Sequence, residues 1–359
     1  MQSVTQQAMN LVGNDQPTDW ELAPEKHAAA LGAGAEPLKE ILLKPDIGKI
    51  ITDFRVADRA AGRAQKTYKR LARLAAWTGF AAALIGSVVL MFAYLHPPGI
   101  ALTAAAAAQA LLLLVSLGTS LLIGSRQPFE AWMLKRAEAE NARIALFDRV
   151  MSEHAPTTPG AVPLLALQLE YFRRYLLDVE RLYYSERGEQ HAAAARAAWW
   201  WRLLAFALIA LAAFPLIWAI QGASWLPSMV ADLAAQLPEK TEEAQRIFLG
   251  LGVIAASLQG LLAAFAVMSL DERNAARYRT TADNLDALAG SPLEEARAAA
   301  ATPTSEGEEA RRGRDQVLGF VALVENQISS EHREWIALRK LAPDLALERL
   351  KSLRLPPRA

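Results

Sequence analysis

Residues 74–95 read LAAWTGFAAALIGSVVLMFAYL and contain no Asp, Glu, Lys or Arg. Three further stretches share this property, residues 100–123, 203–220 and 247–270. Each is about long enough to cross a hydrocarbon core of ~30 Å as a helix. No segment alternates apolar and polar residues in the way that predicts a strand. The sequence therefore predicts an all-α membrane protein with four transmembrane helices.

The distribution of Lys and Arg predicts the orientation of these helices. Residues 55–73, just before the first span, contain seven Lys or Arg and a single acid, Asp58. The connection at residues 124–202 contains eleven Lys or Arg, whereas residues 221–246 contain only Lys240 and Arg246. Positively charged segments remain in the cytoplasm. Both termini and the central connection are therefore predicted to be cytoplasmic, and the protein to lie in an inner (cytoplasmic) membrane.

Helical patterns continue outside the spans and suggest two fused two-span units, each with a cytoplasmic helical hairpin. Asp46 is a good N-cap for an apolar face that leads into the first span. The predicted hairpin helices cover residues 132–154 with 164–196, and residues 272–289 with 315–340, the second pair being joined by a connector at residues 291–313. Residues 224–237 read as a short external amphipathic helix, or alternatively as a loop. The predicted domains are a mostly disordered segment 1–45, a first unit 46–196, a second unit 197–340 and a tail 341–359.

A short repeat suggests that the two units arose by duplication. Four residues recur at a constant offset of 145 positions, namely Val179, Glu180, Ser185 and Glu186 as Val324, Glu325, Ser330 and Glu331. A duplicated unit with an even number of spans keeps its orientation. We therefore expect the units to be related by a pseudo-two-fold axis along the membrane normal, with Glu180 equivalent to Glu325.

Composition argues against several functional classes. The chain carries 38 basic and 38 acidic side chains, so its net charge gives no reason to expect a nucleic-acid partner. It contains no cysteine, and none of its five histidines is spaced for a helical metal pair. Phosphate-binding loops, dinucleotide fingerprints and nucleophile elbows are all missing from the sequence. We expect neither an enzyme nor a bound cofactor or metal.

The spans themselves contain polar residues but no ionisable ones, which removes the usual signature of proton or cation transport. Gln109 and Gln259 can bond neighbouring helices or line a pore, and the sequence favours the first alternative. Gly252, Ala256 and Gly260 form a strip of small residues on the fourth span. Gly79 and Gly86 allow a similar close approach on the first. Such strips pack helices within one chain or between copies, and we expect a homo-oligomer.

Residues 320–335, FVALVENQISSEHREW, follow a two-span hairpin and an intervening helix that carries Tyr278 and Arg279. This pattern resembles the SLATT family, two-span bacterial membrane domains associated with nucleotide-second-messenger and anti-phage systems. The resemblance is strongest over residues 203–340, and the first unit fits as a diverged copy. It implies a membrane-disrupting or pore-forming effector of the bacterial inner membrane.

The sequence therefore suggests two possible functions. The favoured one is a membrane-embedded effector of a bacterial defence or stress system, whose oligomer opens or perturbs the bilayer. The alternative is a scaffolding membrane protein whose cytoplasmic helices recruit a protein partner. The residues expected to make cytoplasmic contacts are Glu180, Glu186, Glu325, Glu331 and Trp335.

Overall fold

A computed structural model describes residues 3–15, 22–92, 99–154, 161–221, 241–269, 271–302 and 308–329. Helices account for nearly all of these residues, and no strand occurs among them. The helices in chain order are α1 Val4–Val12, α2 Pro24–Ala30, α3 Glu36–Leu42, α4 Pro45–Phe92, α5 Ile100–Arg126, α6 Pro128–Ser152, α7 Leu164–Phe172, a π-helical segment Arg173–Leu177, α8 Asp178–Gln221, α9 Thr241–Ser269, α10 Asp271–Leu288, α11 Ser291–Ala300 and α12 at residues 308–329. The predicted all-α class is confirmed.

Four helical stretches are long and apolar enough to cross a membrane, as the sequence predicts. At most 12% of the residues in their most apolar windows are buried within the chain, which leaves most of these side chains able to contact lipid. On α5, for example, Leu111, Leu114 and Leu121 are each more than half exposed. The predicted external amphipathic segment at residues 224–237 and the tail at residues 341–359 lie outside the described residues.

The chain divides into two compact units, and each takes segments from both halves of the sequence. The membrane domain comprises Gly62–Trp132 and Gln190–Ala275. The extramembrane domain comprises Met1–Ala61, Met133–Glu189 and Ala276–Ala359. These units do not coincide with the predicted consecutive domains 46–196 and 197–340. Division of the sequence into two repeats, and the superposition of Glu180 on Glu325, stay predictions.

The core of the extramembrane domain is built around α7, whose residues Leu164–Phe172 are nearly all buried. The largest buried side chains of this core include Tyr171, Phe172 and Phe147. Phe147 on α6 contacts Phe172 edge to face, with ring centroids 5.8 Å apart, and Phe320 on α12 lies 6.4 Å from the same ring. Burial of such rings is the main stabilising contribution to a core of this kind.

The prediction that residues 1–45 are mostly disordered is wrong. Three short helices occupy this segment, and Ala8, Val12 and Leu38 are fully buried in the core. Pro24 and Pro37 lie in the first turns of α2 and α3. Proline is tolerated there because its missing N–H would be unpaired in any case. A few well-spaced apolar residues fold the segment onto the core in spite of its polar composition.

The connector predicted at residues 291–313 also requires correction. Residues Ser291–Ala300 form helix α11, with Pro292 in its first turn and Leu293, Ala296 and Ala300 buried. These three positions follow the spacing of one helical face. The predicted helix at residues 315–340 is described as far as residue 329, and it begins earlier, at residue 308.

Candidate functional site

The first two spans of the membrane domain pack as an antiparallel hairpin through small residues. Ser116 Oγ on α5 donates to the carbonyl oxygen of Ala75 on α4 at 2.9 Å. A Cβ atom on Gly79 would lie 3.2 Å from the same hydroxyl, and one on Gly86 would overlap the Gln109 side-chain amide. The contact positions are seven residues apart on both helices, which defines the register. The Gln109 amide therefore lies against α4 of the same chain, and its predicted interhelical hydrogen bond stays a prediction.

Three other hydroxyl groups in the spans donate to backbone carbonyls of their own helices. Ser87 Oγ donates to the carbonyl of Ala83 at 2.8 Å, and Thr119 Oγ1 to that of Val115 at 2.6 Å. Ser257 Oγ makes the same bond to Val253 at 2.7 Å. This is the usual way in which Ser and Thr avoid an unpaired group in a hydrocarbon environment.

The small-residue strip on α9 lies on the less buried side of its helix. Ala255 and Leu261 are buried, whereas Ala256, Gln259 and Gly260 are exposed and Gly252 is half-buried. Apart from the adjoining part of α9 itself, no described atom lies within 4 Å of a Cβ placed on Gly260. In the described part of the chain the strip thus contacts no other helix at Gly260. Its predicted part in packing or in a pore stays a prediction.

Polar side-chain contacts join α8 to the start of α10 within the membrane domain. His191 Nδ1 lies 2.6 Å from Asp271 Oδ1, and Arg202 Nη1 lies 2.6 Å from Glu272 Oε1. Trp201 and Phe265 line a shallow cavity of about 350 Å³ beside the Arg202–Glu272 pair. On the same domain, Trp77 of α4 contacts Phe265 of α9 with ring centroids 5.9 Å apart. These contacts connect the first, third and fourth spans.

Glu180, a predicted surface residue, is buried in the extramembrane domain. Its carboxylate is 3% exposed and pairs with Arg143 of α6, which also lies 3.6 Å from Glu140. A buried carboxylate in an ion pair has a structural role, because removing one partner leaves an uncompensated charge. This position does not suit a contact with another protein. Glu186, two turns further along α8, is exposed and remains accessible for such a contact.

Glu325 is half-buried on α12 and shares a hydrogen bond with Asp148 of α6. Burial, followed by the negative charge of Asp148, raises the pKa of Glu325 to about 8. Burial also raises the pKa of Asp148. The two carboxyl groups thus hold one proton between them near neutral pH, as close carboxyl pairs do. Glu331 and Trp335 lie outside the described residues.

A buried charge network surrounds the π-helical segment, and the sequence reading missed it. Glu170 is 1% exposed and accepts hydrogen bonds from Arg173 Nε at 2.6 Å and from Arg297 Nε at 2.7 Å. Arg173 also donates to Asp178 at 2.5 Å. The available signal was a cluster of charges inside an otherwise apolar run at residues 164–177. π-helical turns of this kind occur frequently at functional positions.

The N-terminal helices dock on the same π-helical segment. Arg174 donates to the carbonyl oxygen of Val12 at the end of α1. His27 on α2 stacks on Tyr175, with ring centroids 3.7 Å apart, and its Nδ1 lies 2.9 Å from the Tyr171 hydroxyl. Gly13 adopts φ +98°, and a Cβ there would overlap the Arg174 guanidinium, so this position requires glycine. Among the described residues no group of three metal-binding side chains occurs.

Residues 52–145 match the family SLATT_3, described as SMODS and SLOG-associating 2TM effector domain 3. This segment resembles SLATT domains. It covers most of α4, all of α5 and most of α6, so it contains the first two spans and the helix that follows them. The family predicted from the sequence is confirmed, although the SLATT match lies in the first half of the chain and the quoted residues 320–335 in the second. Neither the curated proteins nor the solved structures gave a significant match.

Proposed function

We propose that this membrane-embedded SLATT effector acts as a homo-oligomer that opens or perturbs the bacterial inner membrane when its extramembrane helices rearrange. The observation that carries the proposal is the SLATT domain, because its description as a two-transmembrane effector coincides with the packed α4–α5 hairpin. The described spans contain no ionisable side chain in their apolar segments, which disfavours coupled transport. In this proposal, opening of the bilayer depends on how the membrane helices of several copies assemble.

The strip on α9 gives this proposal a place for contact between copies. Gly252, Ala256 and Gly260 are small enough for two helix backbones to approach closely. Gln259 lies beside them on the exposed side, where an amide can bond across a helix pair or face water. Association through this strip would remove the amide from lipid. The same strip is the proposed wall of a pore in the open state.

Cysteine cross-linking tests the contact, because the chain contains no native cysteine. We expect Gly260→Cys to form a disulfide-linked dimer in oxidised membranes. Gly118→Cys, on α5, is the matched control, since a Cβ on Gly118 also meets no described atom within 4 Å. Equal cross-linking at the two positions would remove α9 as the contact between copies.

The alternative function is a scaffold whose extramembrane helices recruit a protein partner. It is favoured by the well-packed core of that domain, which presents Glu186 on a rigid helix. A scaffold predicts that Glu186→Lys, or Trp335→Ala, abolishes co-purification of the partner while Gly260→Leu has little effect. The effector predicts the opposite ranking in a membrane-potential assay. Measuring both properties for all three variants in the same membranes separates the two functions.

A further inference from the structure

The cytoplasm-proximal part of α4 in the membrane domain carries a stripe of basic side chains. Arg63, Lys66, Lys69, Arg70 and Arg73 precede the apolar segment that begins at Leu74, and all five are exposed. At about 100° per residue they fall within about 120° of the helix circumference. We name these five residues the basic stripe. No acidic residue occurs between positions 63 and 73.

The basic stripe is not used for packing within the chain. In the described part of the chain, none of its five charged groups has an ion-pair or hydrogen-bond partner. The opposite side of α4 is the packed one, where Ala72 is buried and Tyr68 contacts aromatic rings. The Tyr68 ring centroid lies 5.3 Å from that of Phe129 and 6.4 Å from that of Trp132. The helix is therefore anchored by one face and leaves its cationic face open.

Height along the helix indicates which partner these charges fit. Arg73 adjoins the apolar segment, and Lys69 and Arg70 lie about 5 Å below it at a rise of about 1.5 Å per residue. The polar headgroup region of one leaflet is of this thickness, about 5–8 Å. Lys66 lies about 10 Å and Arg63 about 15 Å from the boundary, so the field of the stripe extends over about one to two Debye lengths.

We propose that the basic stripe binds the headgroups of anionic phospholipids, with Lys69, Arg70 and Arg73 in direct contact with the lipid phosphates. Clusters of four to eight cations at the cytoplasmic end of a membrane helix have this property in general. Guanidinium groups suit phosphate oxygens because they donate two parallel hydrogen bonds. The basic stripe then sets the lipid composition next to the first span. This inference does not depend on whether the protein opens the bilayer.

Electron paramagnetic resonance with spin-labelled lipids measures this selectivity directly. The purified full chain is reconstituted in phosphatidylcholine bilayers that contain a trace of spin-labelled phosphatidylglycerol or spin-labelled phosphatidylcholine. We expect the protein-bound fraction to give an association constant about two- to fivefold larger for phosphatidylglycerol, since one cation near a surface contributes about fivefold. The preference should fall by at least half in 1 M salt, because exposed charges are screened.

The decisive variant replaces Lys69, Arg70 and Arg73 by Gln. It should lose at least half of the preference, whereas replacing Lys49 together with Lys39 and Arg311, three exposed cations of the extramembrane domain, should leave it unchanged. Both leaflets contain the spin-labelled lipid, so protein inserted in the opposite orientation would give the same ratio of association constants. The charge-conserving variant Lys69→Arg, Arg70→Lys and Arg73→Lys should retain the preference for phosphatidylglycerol. A wild-type ratio of one, or a ratio unaffected by both salt and the Gln variant, would overturn the proposal.

Discussion

Gly86 and Gln109 show how single residues define the first helix pair. The Gln109 amide occupies the space that a side chain at position 86 would need. The sequence allowed this close approach to be predicted from the glycine spacing on the first span. It could not show which residue of α5 lies opposite, because the partner depends on the register of the hairpin and not on either helix alone.

We expect Gly86→Leu to destabilise the protein by about 1–3 kcal/mol, the usual cost of overpacking an interface. Gly86→Ala should cost less, since only the end of a flexible side chain must move. The measurement is thermal unfolding in detergent, with Gly118→Leu as the control at an unpacked glycine. In a Gln109→Ala background the cost of Gly86→Ala should diminish. Equal melting temperatures for Gly86→Leu and Gly118→Leu would contradict the described packing.

Glu325 gives the extramembrane domain a pH-dependent stability. Its pKa is raised to about 8 in the folded chain, from an ordinary value of 4.5. The folded state therefore holds a proton that the unfolded state releases between pH 4.5 and pH 8. Stability should be highest below this window and fall as the pH rises through it.

The measurement is thermal unfolding between pH 5 and pH 9, comparing wild type with Glu325→Gln. The variant should lose this part of the pH dependence and be more stable than wild type at pH 9. Glu186→Gln, at an exposed position of the same domain, should keep the wild-type profile. A variant Glu325→Gln with an unchanged profile would show that the Asp148–Glu325 pair does not share a proton.

At the scale of elements, the N-terminal helices were the largest departure from expectation. The prolines of α2, α3 and α11 all lie in first turns, whereas the sequence predicts a mostly disordered segment for the first two helices and a connector for the third. Proline position relative to a helix start cannot be judged when the helix is only seven to ten residues long. The π-helical segment Arg173–Leu177 was not predicted either, because the sequence pattern does not distinguish it from the α-helix on either side.

Arg174 provides the test of N-terminal docking. Arg174→Ala removes the hydrogen bond to Val12 and the guanidinium over the Tyr175 ring, whose centroid lies 5.2 Å away. A hydrogen bond of a charged donor contributes about 1.5–3 kcal/mol. We therefore expect trypsin to cleave at Lys26 and Lys39 about tenfold faster in this variant. Arg311→Ala, at an exposed position of α12, should leave the rate unchanged. If both variants are cleaved at the wild-type rate, the docking contact contributes nothing measurable.

For the whole molecule, the four spans could be predicted because absence of charge over about 20 residues is a strong signal. The division into a membrane domain and an extramembrane domain could not be predicted from the sequence. It depends on contacts between segments far apart in the sequence, such as Phe172 with Phe320. The predicted orientation in the membrane rests on the distribution of Lys and Arg. We expect reporter fusions at Ser3, His154 and Ala359 to be cytoplasmic and one at Ala223 to be external. An external His154 fusion would reverse the layout.

Depolarisation of the membrane is the most direct test of the proposed effector. Cells that express the full chain are monitored with a membrane-potential dye, alongside Gly260→Leu and the control Gly118→Leu at equal levels in the membrane. The proposed mechanism predicts depolarisation by wild type and by Gly118→Leu, and its loss in Gly260→Leu, because leucine prevents close approach along the α9 strip. Wild-type protein that inserts correctly and never changes the membrane potential, even with its activating partners present, would contradict the effector function and favour the scaffold.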